Sequence, residues 1–258
     1  MKTVKRILAA VLVSAVAVGF TACGNNASKD EYIVAMDTTF SPFEFEDASG
    51  NRIGIDIDLL NAIAEDQGIK FRLDAVGFDG ALAAVQSGQA DAIMAGCSIT
   101  DKRKEVMDFS DPYFDSGVAM GVAKDSDIKS YEDLKGKNVC AKTGTESATF
   151  LNGEEGKEGL KDKIGFNVTL FDDSPTMYED VKAGNSAACF DDYPVLAYSI
   201  AQGSGLKMVT EMERGSSYGF GVKKGENAEL LAKFNAGLKN LRDNGKYQEI
   251  LDKYIKKK

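Results

Sequence analysis

The sequence predicts an α/β fold, and two observations carry this prediction. Short apolar segments typical of strands alternate along the chain with segments that have helical periodicity and polar caps. The same order then occurs twice. The stretches "AVQSGQADAIMAG" (84–96) and "DVKAGNSAACFDD" (180–192) each end a helix at Gly and enter a small-residue strand three residues later. Two copies of one βαβ plan therefore predict two α/β units.

The first half of the chain supplies three of the predicted strands. They are the stretches "YIVAM" (32–36), "FRLDAV" (71–76) and "DAIMAG" (91–96). Between them, Asp56 is expected to cap a helix whose Ile57, Leu60, Ile63 and Ala64 share one face. Asp79 is expected to cap a second helix, which ends at Gly88.

The second half repeats this order. "SYEDLKGK" (130–137) predicts a short capped turn of helix, and "NVCAKTG" (138–144) and "SAACFDD" (186–192) predict strands. Ser174 is expected to be an N-cap, with Pro175 as the first helical residue. The stretch 228–244 predicts an amphipathic helix with Leu230, Leu231, Phe234, Leu238 and Leu241 on one side.

The first 22 residues have the pattern of a signal peptide. A basic start precedes the uncharged, largely apolar run 7–20, which is too short to span a bilayer comfortably. Cys23 follows Thr21-Ala22 in a sequence that resembles a bacterial lipobox, although Phe20 replaces the usual Leu. We therefore expect Cys23 to be acylated and 23–30 to form a polar tether. The alternative is an ordinary secreted protein in which this Cys has no role.

The composition excludes several classes of function. Removing residues 1–22 takes away three positive charges and changes the net charge from −9 to −12, which argues against nucleic-acid binding. The chain has no His, so His-dependent triads and His-ligated metals are excluded. Cys97, Cys140 and Cys189 have no CxxC spacing and are expected to be small buried residues, although a bridge between Cys140 and Cys189 remains an alternative. We expect no metal, no cofactor and no catalytic residue.

Several motifs occur in the order found in one family. They are "AMDTTFSPFEF" (35–45), "GIDIDLLNAIA" (54–64), "GFDGALAAVQSGQADAIMAGCSITDKRKEVMDFSDPYF" (77–114), "DLKGKNVCAKTGTES" (133–147), "DDYPVLAY" (191–198), "YGFGVKKG" (218–225) and "LRDNGKYQEILDKY" (241–254). In these motifs the chain resembles the polar amino-acid solute-binding proteins of ABC importers, and most of all the members that bind glutamine. Each motif alone is weak, but their order covers essentially the whole chain after the signal peptide.

The resemblance implies a two-lobe α/β fold of the periplasmic-binding-protein type, with two hinge strands and a central ligand cleft. Lobe 1 would be discontinuous, made of 31–115 and 217–258, and lobe 2 would span 116–216. The implied function is that of a monomeric lipoprotein on the extracytoplasmic face of the cell membrane. It would bind a polar amino acid by lobe closure and deliver it to an ABC permease.

The resemblance also assigns site residues. The ligand carboxylate would be bound by Arg103, whose fork matches a carboxylate as Lys cannot, together with Ser98 and the backbone N–H of Thr145. Asp192 and the Gly96 carbonyl would accept from the ligand ammonium. Phe40 and Phe78 would form aromatic walls, and Asp37 and Lys142 would contact the side chain of the ligand. Glu146 and Asp191 are possible further acids of the site.

Asp37 and Lys142 together would suit an amide, because its NH₂ can donate to Asp37 while its oxygen accepts from Lys142. Glutamine is therefore the expected ligand. If Glu146 and Asp191 also turn inward, the site becomes net negative and favours arginine or lysine.

Two other classes of protein use the same fold. A dehydratase would need an added acid, for which Glu146 and Asp191 are the candidates, but no spacing demands one. A sensor ectodomain would be followed by a transmembrane helix and a signalling domain, and we expect neither.

Overall fold

Residues 31–255 are described by the computed structural model, and their strands fall into two main sheets and two small ones. The predicted signal peptide, the tether and Cys23 lie outside the described residues. The strands are β1 (Tyr32–Met36), β2 (Thr39–Phe40), β3 (Glu44–Glu46), β4 (Arg52–Ile53), β5 (Phe71–Ala75), β6 (Ala92–Ile93), β7 (Met107–Phe109), β8 (Phe114–Ala123), β9 (Asn138–Lys142), β10 (Gly153–Glu154), β11 (Lys157–Glu158), β12 (Asn167–Phe171), β13 (Ala188–Asp192), β14 (Leu206–Met208), β15 (Glu213–Tyr218) and β16 (Gly221–Lys223).

Helices cover the faces of the two main sheets. They are α1 (Ile55–Gln67), α2 (Phe78–Ser87), α3 (Asp101–Lys104), α4 (Glu146–Asn152), α5 (Leu160–Ile164), α6 (Ser174–Lys182), α7 (Tyr193–Ala201), α8 (Ala228–Asp243) and α9 (Lys246–Tyr254). A single 3₁₀ turn spans Glu132–Leu134, where the sequence predicts a short turn of helix.

The first main sheet has the strand order β5-β1-β6-β16-β7. Strands β5 and β6 run parallel to β1, whereas β16 runs antiparallel to both β6 and β7. Because β16 comes from near the end of the chain, this lobe is built from both ends of the sequence.

The second main sheet has the order β12-β9-β13-β8-β14, with β15 also paired to β8. Strands β12 and β13 run parallel to β9, and β8 runs antiparallel to β13. The parallel core of each sheet therefore follows the repeated βαβ plan predicted from the sequence.

Two antiparallel strands pass between the lobes. Strand β8 is ten residues long, and its first residues pair with the end of β15, so that Phe114 lies opposite Tyr218 and Ser116 opposite Ser216. Tyr113 precedes β8 and donates its backbone N–H to the Tyr218 carbonyl at 2.9 Å. Whether the lobes divide at 115/116 and 216/217, as the sequence predicts, stays a prediction.

Each lobe has its own hydrophobic core. In the first lobe α8 packs Leu230, Phe234, Leu238 and Leu241 against α1 and the sheet, and the Phe234 ring stacks on Phe220 with centroids 4.3 Å apart. Burying each such side chain contributes about 1.5–3 kcal/mol to the free energy of unfolding. This packing therefore holds α8, which comes from near the end of the chain, in the first lobe. The second core includes Cys140 and Cys189, which face each other on β9 and β13 as free, buried thiols.

Three predicted helix caps are wrong. Gly54, not Asp56, precedes α1, and Gly77, not Asp79, precedes α2. Helix α6 is capped by Asp173, whose side chain accepts from the Thr176 N–H. The α1 N-terminus is satisfied instead by tertiary partners, since the Pro42 and Phe43 carbonyls accept from the first two N–H groups of that helix.

Within the described part of the chain, no helix is both long and apolar enough to cross a bilayer. Over the same residues, no cluster of acidic, Cys or His side chains has the arrangement of a metal site.

Candidate functional site

The polar residues of the site lie where strands end. Asp37 follows β1, Gly96 lies in a bend shortly after β6, and Lys142 and Asp192 are the last residues of β9 and β13. Ligands of open α/β sheets bind beyond the carboxyl ends of such strands. Because the two sheets present these ends to each other, the polar residues of both lobes meet.

One cavity between the lobes collects most of the predicted site residues. The open space inside it is only about 10 Å³, which is far less than is usual for a ligand pocket. Its lining consists of Phe40, Phe78, Gly96, Ser98, Arg103, Lys142, Thr145, Glu146 and Asp192. Of the predicted residues, Asp37 and Asp191 are the two outside this lining.

Asp37 is connected to the cavity lining by its ion pair with Lys142. The Lys142 ammonium forms an ion pair with Asp37 Oδ2, and both side chains are almost completely buried. Asp37 Oδ1 accepts from the Thr38 and Thr39 N–H groups and from the Thr39 hydroxyl. Burial acts to raise the pKa of Asp37, but the Lys142 charge and the hydrogen bonds from Lys142 and Thr39 outweigh burial and lower it.

The predicted aromatic walls hold cations from both lobes. Lys142 Nζ lies 5.0 Å from the centre of the Phe40 ring and 5.9 Å from that of Phe78. The Arg103 guanidinium lies 5.2 Å from the Phe78 ring. These are the distances of cation–π contacts, so the walls favour positive charge in the space between them.

Arg103 differs from its charged neighbours in its contacts. Its Nη1 donates to the Ser98 carbonyl at 2.7 Å, and its Nη2 crosses to the second lobe and donates to the Gly144 carbonyl at 3.1 Å. Lys102 and Lys104 are exposed. Thr100 is the N-cap of the short helix α3, and its hydroxyl accepts from the Arg103 N–H and fixes this orientation.

Thr145 is the N-cap of α4, as its position after "KTG" predicts. Its hydroxyl donates to the Lys142 carbonyl at 2.7 Å and accepts from the Ala148 N–H at 3.2 Å. Glu146, the first residue of α4, contributes a carboxylate to the cavity lining.

Asp192 is buried and tied to a strand that joins the lobes. Its Oδ2 accepts from the Tyr218 hydroxyl at 2.5 Å, and the Ser116 hydroxyl donates to the Tyr218 oxygen at 3.0 Å. Burial and the neighbouring Asp191 raise the pKa of Asp192 to about 7, although the Tyr218 hydrogen bond and the charges of Arg103 and Lys142 oppose the rise.

Asp191 faces away from the cavity. Its Oδ2 accepts from the Tyr178 hydroxyl at 2.5 Å, and its Oδ1 accepts from the Asp192 N–H. Burial raises the pKa of Asp191. Of the two possible further acids, the structure therefore brings Glu146 to the cavity and holds Asp191 behind it.

Four residues near the site were not assigned to it from the sequence. Tyr218 and Tyr113 lie at the crossing between the lobes, and Glu44 and Asp56 lie behind Gly96. Both Asp56 and Glu44 belong to motifs quoted above, "GIDID" and "SPFEF", but neither motif indicates that the two side chains meet.

Comparison with known proteins identifies the family. Residues 32–257 match the model of the bacterial extracellular solute-binding proteins, family 3. An arginine-binding periplasmic protein from Mannheimia haemolytica is 32% identical over 227 residues, which cover 86% of this chain and 90% of the relative. An ancestral arginine-binding protein solved with glutamine bound is 38% identical, with a TM-score of 0.79 over 89% of this chain and 99% of that one.

A third relative differs in shape. Substrate-binding domain 2 of GlnP from Lactococcus lactis, solved in the open conformation, is 43% identical and covers 90% of this chain and 97% of its own, yet its TM-score is only 0.61. The predicted two-lobe α/β fold is confirmed by these neighbours. On the family match over residues 32–257, this chain belongs to the bacterial extracellular solute-binding proteins, family 3.

Proposed function

We propose that this protein is the solute-binding lipoprotein of an amino-acid ABC importer, and that it binds glutamine between its lobes and delivers it to the permease as a monomer. The observation that carries this proposal is the placement of Arg103 and Asp192. The two side chains line one cavity from opposite lobes, and their charges are complementary to the carboxylate and the ammonium of a free amino acid.

The α-carboxylate would be bound first through Arg103. Both of its terminal nitrogens donate to backbone carbonyls, at Ser98 and Gly144, and a carboxylate is a stronger acceptor than either. Ser98 and Thr145 add polar groups on the two sides of this position. The α-ammonium would be bound by Asp192 and the Gly96 carbonyl, with Phe40 and Phe78 excluding water.

The side chain would be recognised by Asp37 and Lys142. These residues form a neutral pair of one donor cation and one acceptor anion, and an amide can satisfy both. Glutamate would place a second carboxylate against Asp37, and arginine or lysine would place a cation against Lys142. Like charges desolvated together cost several kcal/mol, so selectivity of up to about a thousandfold is available.

A cationic amino acid is the second candidate. Glu146 adds a carboxylate to the lining, and Asp191 adds a buried one behind Asp192. The arginine-binding relative and the ancestral arginine-binding protein, which was solved with glutamine bound, are the comparisons that support this candidate.

We propose binding without a chemical reaction. A dehydratase of this fold would need an acid free to protonate a leaving hydroxyl, and Asp191 is engaged by Tyr178 outside the cavity. Glu146 remains the single candidate among the predicted acids. The family is described by solute binding, which favours transport.

We propose attachment to the outer face of the membrane through acylated Cys23. The basic start, the apolar run and the small residues before Cys23 support this proposal. Labelling of growing cells with a radioactive fatty acid should mark the wild type and not Cys23→Ala. A Cys23→Ala protein that stays cell-associated and is still cleaved after Ala22 would contradict the lipoprotein assignment.

A thermal-shift screen tests the transport function as a whole. The protein should be unfolded and refolded to remove bound solute, then heated with each of the twenty amino acids, ornithine and cystine. A ligand at a hundred times its dissociation constant stabilises by about 2.7 kcal/mol. The sequence has no Trp, so an external dye gives the readout. Stabilisation by no amino acid would refute the proposed function.

A further inference from the structure

Two carboxyl side chains meet behind Gly96. Glu44 on β3 and Asp56 in the first turn of α1 are both fully buried, and their side chains are within hydrogen-bonding contact of each other. Both oxygens of Glu44 and Oδ1 of Asp56 find no N–H or O–H donor elsewhere among the described residues. Two ionised carboxylates in this position would be two buried, uncompensated charges in contact.

One proton bound to this pair of carboxyl groups removes the repulsion between them. A protonated Glu44 donates to Asp56 Oδ1, which satisfies the acceptor and removes one charge. Asp56 is the better place for the remaining charge, because it lies at the N-terminus of α1 and its Oδ2 accepts two hydrogen bonds.

The charged and titratable groups around the pair agree with this distribution. Asp37 and Asp56 face Glu44 as negative groups, and Lys142, already paired with Asp37, is a cation that opposes them. Tyr113 faces both acids from the residue before β8. Burial, followed by the Asp56 charge, raises the pKa of Glu44 well above its usual range.

Asp56 connects the pair to the binding site. Its Oδ2 accepts from the Gly96 N–H at 3.0 Å and from the Tyr113 hydroxyl at 2.9 Å. Gly96 has a φ of +51° and its α-carbon lies so close to Phe40 that a Cβ would be 2.3 Å from the ring. The backbone that lines the cavity is therefore held from behind by one carboxylate oxygen.

We propose that Glu44 is a positioning residue that is protonated in the folded protein, and that its hydrogen bond to Asp56 fixes the Gly96 backbone and Tyr113 in the arrangement that binds the ligand. The first half of this proposal concerns the protein alone. The second half rests on the proposed function, because it gives Gly96 a ligand.

Infrared difference spectroscopy at pH 8 tests the protonation without any ligand. The wild type should show the C=O stretch of a protonated carboxylic acid, and Glu44→Gln should lack it. Glu46→Gln is the matched control, since Glu46 lies two residues along the same strand and is exposed. Asp192 is present in the wild type and in both variants, so its contribution cancels when their spectra are compared. Identical spectra for the wild type and Glu44→Gln would overturn the proposal.

Affinity measurements test the positioning role. Glu44→Gln keeps a donor for Asp56 and should bind glutamine within about twofold of the wild type, whereas Glu44→Leu leaves Asp56 Oδ1 without a donor and should bind about tenfold more weakly. Equal losses in the two variants would contradict the role of the hydrogen bond. If glutamine binds neither variant nor the wild type, the proposed function fails, but the infrared result still decides the protonation.

Discussion

Lys142 and Asp37 form a buried ion pair that joins the two lobes across the cavity. The Lys142 ammonium also lies over the Phe40 and Phe78 rings, in the space that favours positive charge. The protein itself therefore supplies the cation that these walls hold, and a ligand that brings a second cation must compete with it.

Lys142→Met should change the ligand preference. The substitution leaves the Asp37 carboxylate without its cation, so glutamine should bind at least about tenfold more weakly and arginine or lysine more tightly. Lys137→Met is the matched control, because Lys137 is exposed just before the same strand, β9. Calorimetry on both variants decides the point, and an unchanged order of ligands in Lys142→Met would contradict the assignment of the side-chain pocket.

Arg103→Lys should weaken binding nearly as much as Arg103→Ala. Lysine cannot form the two parallel hydrogen bonds of the guanidinium, and each charge-assisted bond contributes roughly 1.5–3 kcal/mol, so the loss should exceed about tenfold. Lys102→Ala, one residue away and exposed, should be nearly silent. Similar effects at positions 102 and 103 would contradict the role of Arg103.

Binding should be coupled to loss of a proton from Asp192. Burial and Asp191 raise its pKa to about 7 in the arrangement described here, so Asp192 binds a proton readily near neutral pH, whereas the ligand ammonium requires the ionised form. Affinity should fall about tenfold for each pH unit below 7 and level off above pH 8.

Tyr218→Phe provides the matched test of that coupling. The Tyr218 hydrogen bond lowers the pKa of Asp192, so removing it should move the fall in affinity to higher pH. The measurement is calorimetry in buffers of different ionisation enthalpy. A wild-type affinity that is constant from pH 5 to pH 8 would exclude Asp192 as the ammonium partner.

The lobes should close on the ligand. Arg103–Gly144, Asp37–Lys142 and Tyr218–Asp192 each connect residues assigned to different lobes. A ligand held by both lobes stabilises the state in which these contacts exist. The low TM-score against an open relative of higher identity agrees with a closed arrangement here. Small-angle scattering should show a smaller radius of gyration with glutamine, and an unchanged radius in a protein shown to be open would contradict closure.

The sequence alone predicts the strands well where they are long and buried. The stretch "YIVAM" is a strand over its full length, and the amphipathic stretch after Glu226 is helix α8 within one residue of its predicted end. Gly88 ends α2 as predicted, because a left-handed C-cap is a local property of the chain.

Predictions that depend on distant partners were less successful. Asp56 has the sequence context of a helix cap, but its backbone N–H donates to the Phe43 carbonyl. Its side chain contacts Glu44, Gly96 and Tyr113 instead. No local pattern reports such a contact. The convergence of the site residues could be expected only through the family resemblance, because the residues follow several strands that are far apart in the sequence.

Calorimetry with glutamine, glutamate, arginine and lysine on one preparation, stripped of bound solute by unfolding and refolding, tests directly whether glutamine is the ligand. We expect glutamine to bind most tightly, glutamate to be disfavoured by Asp37, and the two cations to be disfavoured by Lys142. Tighter binding of arginine or lysine would contradict the choice of glutamine. Binding of none of the four would contradict the assignment of the cavity between Arg103 and Asp192 as their site.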